Sequence, residues 1–294
     1  MEKNIIKFNY SIAKKTWFGT GGKCLIYFQP KSIEQLKIFV KFLPRYIKIF
    51  PLGLGSNILL RDGGFKGVVI KLGKFFSEIE YLKKEKKIIV GAGVKDISLA
   101  NFCMKKSISG FEFLVGIPGT IGGAIKMNSG CFGSEIIDNL ISITVLDRNG
   151  VISTFEKKDI KFEYRKSNIA NESIILNATF KTKNSESNII NNKMKKFSEI
   201  RKKNQPVAVR TGGSTFKNTN NKKAWKLINL SGMRERSVGD AKVSEKHSNF
   251  LINKGNASSL DIELLGEEIL YNVLKKTGVK LNWEIERVGE FEKI

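Results

Sequence analysis

A chain of 294 residues is long enough to bury a sizeable core and to divide into two domains or three, and its composition is neither disordered nor fibrous. With 51 Lys and Arg against 28 Asp and Glu, the formal net charge is +23, which by default suggests nucleic acid or an anionic membrane surface as partner. The lysines are spread along the whole chain among abundant Asn and Ile, and no helix-turn-helix, zinc-finger spacing or Arg-rich arm accompanies them, so no nucleic-acid partner is expected and an anionic small molecule fits the charge equally well.

In chain order, the N-terminal arm MEKNIIKFNYSIAKK lacks the apolar run of a signal peptide, and no segment is apolar for long enough to span a bilayer. A cytoplasmic protein with no membrane partner is expected. A glycine-rich turn at 16–22 leads into a strand at 24–28. Ser32 with Gln35 makes a capping-box pattern for a helix whose apolar face is Ile33, Leu36, Val40 and Leu43, and Pro44 ends it. A strand at 47–51 runs into Leu52-Gly53-Leu54-Gly55-Ser56-Asn57. This is not a dinucleotide fingerprint, because the third glycine is absent and Ile58-Leu59-Leu60 reads as strand rather than helix. Its turn still offers backbone N–H groups, the Ser56 hydroxyl and the Asn57 amide to a phosphate.

Strands at 79–83 and 87–90 flank a charged turn, and Asp96 is expected to cap a helix carrying Ile97, Leu99, Ala100 and Met104. A hairpin follows, 140–146 and 151–155, around Asp147-Arg148-Asn149-Gly150. After a strand at 173–180, the polar stretch 181–193 is the expected domain boundary. A helix to about 203 and a loop at 210–218 come next. Ser258 and Asp261 start a long helix with Ile262, Leu265, Ile269 and Val273 as its buried stripe and Gly278 as its C′ residue. A final strand alternates Val279, Leu281, Trp283 and Ile285 with polar residues.

The stretch from Gly110 to Gly133, GFEFLVGIPGTIGGAIKMNSGCFG, combines the most glycine with the least charge. Gly116, Gly119, Gly122, Gly123 and Gly130 leave room for close approach, Pro118 fixes φ before Gly119, and Thr120 is placed to cap a short helix whose first N–H groups would face an anion. A buried glycine-rich turn would read the same way. Tyr164-Arg165-Lys166-Ser167, Ser214 and Glu284 likewise each have an ordinary reading as solvated face, turn and hydrated strand residue. Cys24, Cys103 and Cys131 read as reduced thiols, and His247 has no neighbour at ligand spacing, so no metal is expected. With neither a nucleophile motif nor a Walker lysine, two phosphate-cradling loops point to a bound cofactor, a phosphorylated flavin or dinucleotide, as the source of reactivity.

Six motifs carry a resemblance: Gly53-Leu54-Gly55-Ser56-Asn57, the run from Gly116 to Ala124, Tyr164-Arg165-Lys166-Ser167, the run from Gly212 to Asn218, Val243-Ser244-Glu245-Lys246-His247, and Leu281-Asn282-Trp283-Glu284. In this order they resemble the UDP-N-acetylenolpyruvoylglucosamine reductase family of bacterial peptidoglycan synthesis, in the shorter of its two types. The resemblance implies an α+β chain with an FAD-binding fold of the vanillyl-alcohol-oxidase type in two subdomains, plus an α+β substrate-binding domain. The expected division is 1–75, with the C-terminal strand 279–294 a candidate to return to it, then 76–185, then 190–278.

The same resemblance implies FAD as cofactor and NADPH as the reductant that the UDP-sugar then replaces. Hydride passes to C3 of the enolpyruvyl ether and C2 is protonated, giving UDP-N-acetylmuramate. FAD would lie against Gly53, Gly55, Ser56, Asn57, Gly116, Pro118, Gly119, Thr120, Gly122, Gly123, Asn128 and Gly130. Ser214 matches the general acid at C2, Arg165 the cation on the substrate carboxylate, and Glu284 the acid that stabilises the enol-like intermediate, with Glu286 as fallback. Tyr164, Arg201, Lys217 and Asn218 are the candidates for holding the UDP-sugar, and the enzyme is expected to be a monomer. Another oxidoreductase of the same flavin fold and a basic nucleic-acid-binding protein are the rival readings. The chain departs from the family pattern at Cys131-Phe132, where Ala-Tyr is usual, at Thr219 in place of proline, and at Asn282-Trp283 in place of Glu-Pro.

Overall fold

The computed structural model describes residues 5–219 and 222–292. Strands Ile6–Ser11, Lys23–Phe28, Phe65–Ile70 and Lys48–Pro51 form one four-stranded sheet in that order. The chain divides into two compact units. The first comprises residues up to Phe8, Ile26–Gly53 and Gly67–Arg201, and the second Asn9–Leu25, Leu54–Lys66 and the residues from Lys202 onward.

The first unit is built on a five-stranded antiparallel sheet in the order Ile152–Glu156, Leu140–Leu146, Ile174–Lys181, Lys87–Gly91, Ile79–Leu82. Helices α2 (Asp96–Lys105), α3 (Ile121–Lys126) and α4 (Ser187–Asn204) pack on it through Leu99, Cys103, Ile121, Ile125, Ile190 and Met194. A second cluster lies under α1 (Ile33–Phe42), where Leu36 and Val40 meet Phe28, Ile49, Val68, Ile70 and Leu176. The start of α1 is held in part as its sequence suggests: Ser32 Oγ accepts from Gln35 N at 3.1 Å, but Gln35 Oε1 reaches past the cap residue to accept from Lys31 N at 2.9 Å, so the reciprocal capping box does not close. The hairpin turn is tightened by Asp147, whose carboxylate accepts from the Asn149 and Val151 N–H groups at 2.8 Å each.

The second unit carries a four-stranded antiparallel sheet, Arg210–Ser214, Phe250–Asn253, Ala241–Val243, Ser237–Val238, covered by α5 (Ala224–Leu230) and α6 (Ser259–Thr277). Ile262, Leu265, Ile269 and Val273 of α6 are fully buried, each contributing about 1.5–3 kcal/mol of transfer free energy. The capping box closes as expected, with Ser258 Oγ accepting from Asp261 N at 3.0 Å and Asp261 Oδ2 from Ser258 N at 2.8 Å. Gly278 ends α6 at φ +67. Glu286–Val288 pairs parallel with Ile58–Leu60.

Four local expectations are corrected. Asp96 is the first residue of α2 and its side chain caps nothing, because it is turned inward; Lys95 holds the cap position. Residues 210–214 are strand rather than loop, since they find partners in Phe250–Asn253. The polar stretch 181–193 is half taken up by α4, whose Ile190 reaches the core. The last strand is confined to Glu286–Val288. The alternation before it reflects burial of Leu281 and Ile285 in an irregular segment, not a ladder.

Candidate active site

In the first unit the glycines of the central stretch mark places where backbone meets another group at short range. A Cβ on Gly53 would lie 2.9 Å from Thr120 Oγ1, and the Gly53 carbonyl also accepts from Lys71 Nζ. Thr120 occupies the N-cap position of α3, as expected, but its hydroxyl makes no capping bond and is turned toward Gly53 and Gly123. Gly122 packs on Ala92, its N–H donating to the Ala92 carbonyl at 2.9 Å. A Cβ on Gly116 would meet Phe132 at 2.8 Å and Cys131 Sγ at 2.9 Å, and one on Gly119 would meet Asp96 Oδ2 at 2.5 Å. Pro118 fixes the turn between them. Gly130 sits in a tight ribbon against Ser134 and Glu135.

Around that ribbon lies a charged cluster. Asn128, nearly fully buried at φ +41, donates its amide to Glu135 Oε2 at 2.9 Å and to the Glu163 carbonyl at 3.1 Å, while its Oδ1 has no partner among the described residues. Arg165, at φ +54, donates to the Asn128 carbonyl at 3.3 Å and to the Gly130 carbonyl, lies 3.9 Å from Glu135 and stacks on Tyr164. Backbone oxygens of the glycine stretch thus aim the guanidinium. Arg201, on α4, has a buried Nε with no partner among the described residues; burial pulls its guanidinium below its ordinary value, partly offset by the Cys131 thiol. Cys131 itself is pushed up to about 12 by burial, against the pull of Arg165 and Arg201, so it is an inert thiol. Phe132 stacks face to face on Phe197 at 4.1 Å, filling a place where the family usually has tyrosine.

Sequence reasoning missed Asp96. It is fully buried, neither carboxyl oxygen has a hydrogen-bond partner among the described residues, and burial pushes the group well above the usual carboxylate range. The only signal was an acid just after Gly91-Ala92-Gly93, which is also what a helix start looks like.

In the second unit, Gly55 turns at φ +68 against the Lys15–Thr16 backbone, where a Cβ would lie 2.3 Å from the Lys15 carbonyl; half-buried Ser56 follows it. Asn57 donates its amide to the Glu284 carbonyl at 3.0 Å. Glu284 N in turn donates to the Thr215 carbonyl at 2.8 Å, so Ser56, Asn57, Glu284 and the Ser214-Thr215 pair share one corner. Ser214 ends its strand after an irregularity in which Gly213 takes φ +81. Buried Thr215 and Asn249 lock the run that follows, Asn249 exchanging hydrogen bonds with the Phe216 backbone at 3.0 and 2.8 Å. Lys217 N donates to the Asn282 carbonyl at 2.9 Å, and Asn218 Oδ1 accepts from Ala224 N, holding the start of α5. Glu286 is exposed, two residues further on. His247 is packed edge-on against Phe250 with its pKa lowered by burial, a structural residue.

Residues 205–288 match the family model for the C-terminal domain of UDP-N-acetylenolpyruvoylglucosamine reductase, and residues 24–156 match that for an FAD binding domain. The chain is 44% identical over 289 residues to the UDP-N-acetylenolpyruvoylglucosamine reductase of Rickettsia prowazekii, covering 98% of this chain and 97% of that one. This chain belongs to the UDP-N-acetylenolpyruvoylglucosamine reductase family. A second member, from Orientia tsutsugamushi, is 45% identical over 284 residues, covering 96% of this chain and 94% of that one. The crystal structure of the Thermus caldophilus reductase superposes with a TM-score of 0.83 at 30% identity, covering 97% of this chain and 98% of that chain. As a member of this reductase family the chain has the α+β, FAD-binding fold expected from its motifs. The residues present fit that cofactor: Gly53 and Gly123 put only backbone beside the Thr120 hydroxyl, which makes no capping bond, and Asn128 Oδ1 is a buried acceptor without a partner among the described residues.

Proposed function

We propose that this chain reduces UDP-N-acetylglucosamine enolpyruvate to UDP-N-acetylmuramate with NADPH, in the synthesis of peptidoglycan precursors and hence in cell-wall biogenesis, acting in the cytoplasm as a monomer. The observation that carries the reading is the corner in which Glu284 is hydrogen-bonded to Thr215, the residue following Ser214, inside the segment matched to the reductase C-terminal domain. Gly53, Gly55, Ser56, Asn57, Gly116, Pro118, Gly119, Thr120, Gly122, Gly123, Asn128 and Gly130 would hold FAD, as the family motifs imply. When bound, FAD supplies to C3 of the enolpyruvyl ether the hydride taken from NADPH.

The protein's own groups do the rest. Arg165, aimed by the Asn128 and Gly130 carbonyls, pairs with the substrate carboxylate, where negative charge grows as the double bond is reduced; its attraction is strongest in the transition state. Glu284, carrying its proton, would hydrogen-bond that developing charge. Ser214 Oγ gives up its proton to C2, and the cationic surroundings support the alkoxide it leaves behind. Tyr164, Arg201, Lys217 and Asn218 would hold the UDP-sugar, Arg201 through a buried Nε suited to a phosphate oxygen.

An absorption spectrum of the purified protein tests this, first under anaerobic NADPH and then after addition of UDP-N-acetylglucosamine enolpyruvate. The flavin band is expected to bleach and then to recover. A band that bleaches and stays bleached would overturn the substrate, and a protein that cannot be loaded with FAD would overturn the reading as a whole.

A further inference from the structure

Asp96 is a fully buried acid with no hydrogen-bond donor and no ion-pair partner at either oxygen among the described residues. An ionised carboxylate in such a place costs several kcal/mol, so the group sits there uncharged. Its surroundings are the turn at 118–120. The Asp96 N–H donates to the Gly119 carbonyl at 3.1 Å, and Lys95 and Thr120 bridge the same two segments. Gly119 is not needed for its φ, which lies outside the left-handed region. Chain neighbours aside, the heavy atoms within 4 Å of a Cβ at 119 are Oδ2 of Asp96, at 2.5 Å, and Cγ, at 3.6 Å. What stands in the way of a side chain at 119 is therefore the Asp96 carboxyl alone.

We infer that Asp96 and Gly119 act as one device, in which the Asp96 carboxyl occupies the space of a missing side chain at 119 and fixes the path of the turn on which the cofactor's diphosphate would lie. Asp96 is thus a positioning residue for FAD. An uncharged acid suits the task, because it braces the turn by shape without repelling an anion. The inference rests on the reading of the Gly116–Gly123 stretch as a cofactor cradle.

The test is the FAD affinity of the apoprotein, followed by flavin fluorescence, together with the apoprotein's Tm. Gly119→Ala drives a Cβ into Oδ2 and is expected to weaken FAD binding by about tenfold or more. Asp96→Ala removes the obstacle, so the double variant is expected to bind FAD roughly fivefold better than Gly119→Ala alone, a coupling that residues acting independently do not show. Asp96→Asn keeps the shape without a charge and is expected to stay within about twofold of the wild type, with Asp96→Ala clearly weaker. A double variant no better than Gly119→Ala overturns the inference, as does an Asn variant that loses as much affinity as Ala. If Gly119→Ala has an unchanged Tm and wild-type FAD affinity, the cradle assignment fails and the inference falls with it, an outcome distinct from a loss that is not rescued. Should Gly119→Ala not fold, the Asp96 variants decide: Asn above Ala supports the device, and equality overturns it.

Discussion

The backbone N–H of Glu284 donates to the carbonyl of Thr215 at 2.8 Å, which fixes Glu284 beside the residue that follows Ser214 although 69 positions separate Glu284 from Thr215 in the chain. If this corner delivers the proton to C2, Ser214→Ala is expected to leave reduction of the bound flavin by NADPH unchanged and to slow its reoxidation by the enolpyruvyl substrate roughly 10²- to 10⁴-fold, the span of general acid contributions. Stopped-flow absorbance resolves the two half-reactions. Equal slowing of both would remove Ser214 from the acid role.

Glu284 and Glu286 are separated by the same geometry. Glu284 is half-buried, its backbone bonded to both Asn57 and Thr215, whereas Glu286, whose N–H also donates to the Asn57 carbonyl at 3.0 Å, is exposed at the start of the strand paired with Ile58–Leu60. Glu284→Gln is expected to slow the oxidative half-reaction by roughly tenfold or more and Glu286→Gln to leave it unchanged, because a charge-stabilising group must reach the reacting atoms. The reverse ranking would move the role to Glu286.

The helix ends, the hairpin and the glycine-rich stretch were legible because each is written in residues close together in sequence: Ser32 with Gln35, Ser258 with Asp261, Gly278 at φ +67. What escaped depends on partners far along the chain. Asp96 reads locally as a cap, and only the Gly119 turn makes it a buried acid. Residues 210–214 read as loop from their glycines, and only pairing with Phe250–Asn253 makes them strand. The candidate site residues were named by motif. Why each is held where it is, such as Asn57 on Glu284 or Arg165 on the Asn128 and Gly130 carbonyls, follows from contacts that sequence spacing does not encode.

Glu263 ties α6 to the rest of the second unit through Arg61, at 2.9 and 2.7 Å, and Arg287, at 2.9 Å. Burial pushes its carboxyl up, but the hydrogen bonds and charge of Arg61, and then those of Arg287, outweigh it and hold the pKa below the usual carboxylate value. A depressed folded pKa stabilises the protein above the unfolded pKa, and that stability is lost as pH falls through the folded value. The carboxyl is buried while both arginines reach water, so Glu263→Gln is expected to cost about 2 kcal/mol at pH 7 in urea unfolding. The gap to the wild type should close below the usual carboxylate range; a gap independent of pH would show that the charge is not what matters.

Gly266, inside α6, tests whether the helix or the indole beside it decides the residue. Alanine is a better helix former than glycine by about 1 kcal/mol, and on propensity alone Gly266→Ala would stabilise the protein. A Cβ there would lie 2.1 Å from Trp283, whose indole is held by a hydrogen bond to Glu267 at 3.0 Å and packs on Phe216. Overpacking of this kind costs about 1–3 kcal/mol, which outweighs the propensity gain. Gly266→Ala is therefore expected to lower the Tm. Because Trp283 precedes Glu284, it should also slow flavin reoxidation more than flavin reduction. Adding Trp283→Phe should recover part of the Tm by withdrawing the ring edge that the new methyl strikes. A rise in Tm for Gly266→Ala alone would mean that the indole yields without cost, and that the corner holding Glu284 is softer than its hydrogen bonds imply.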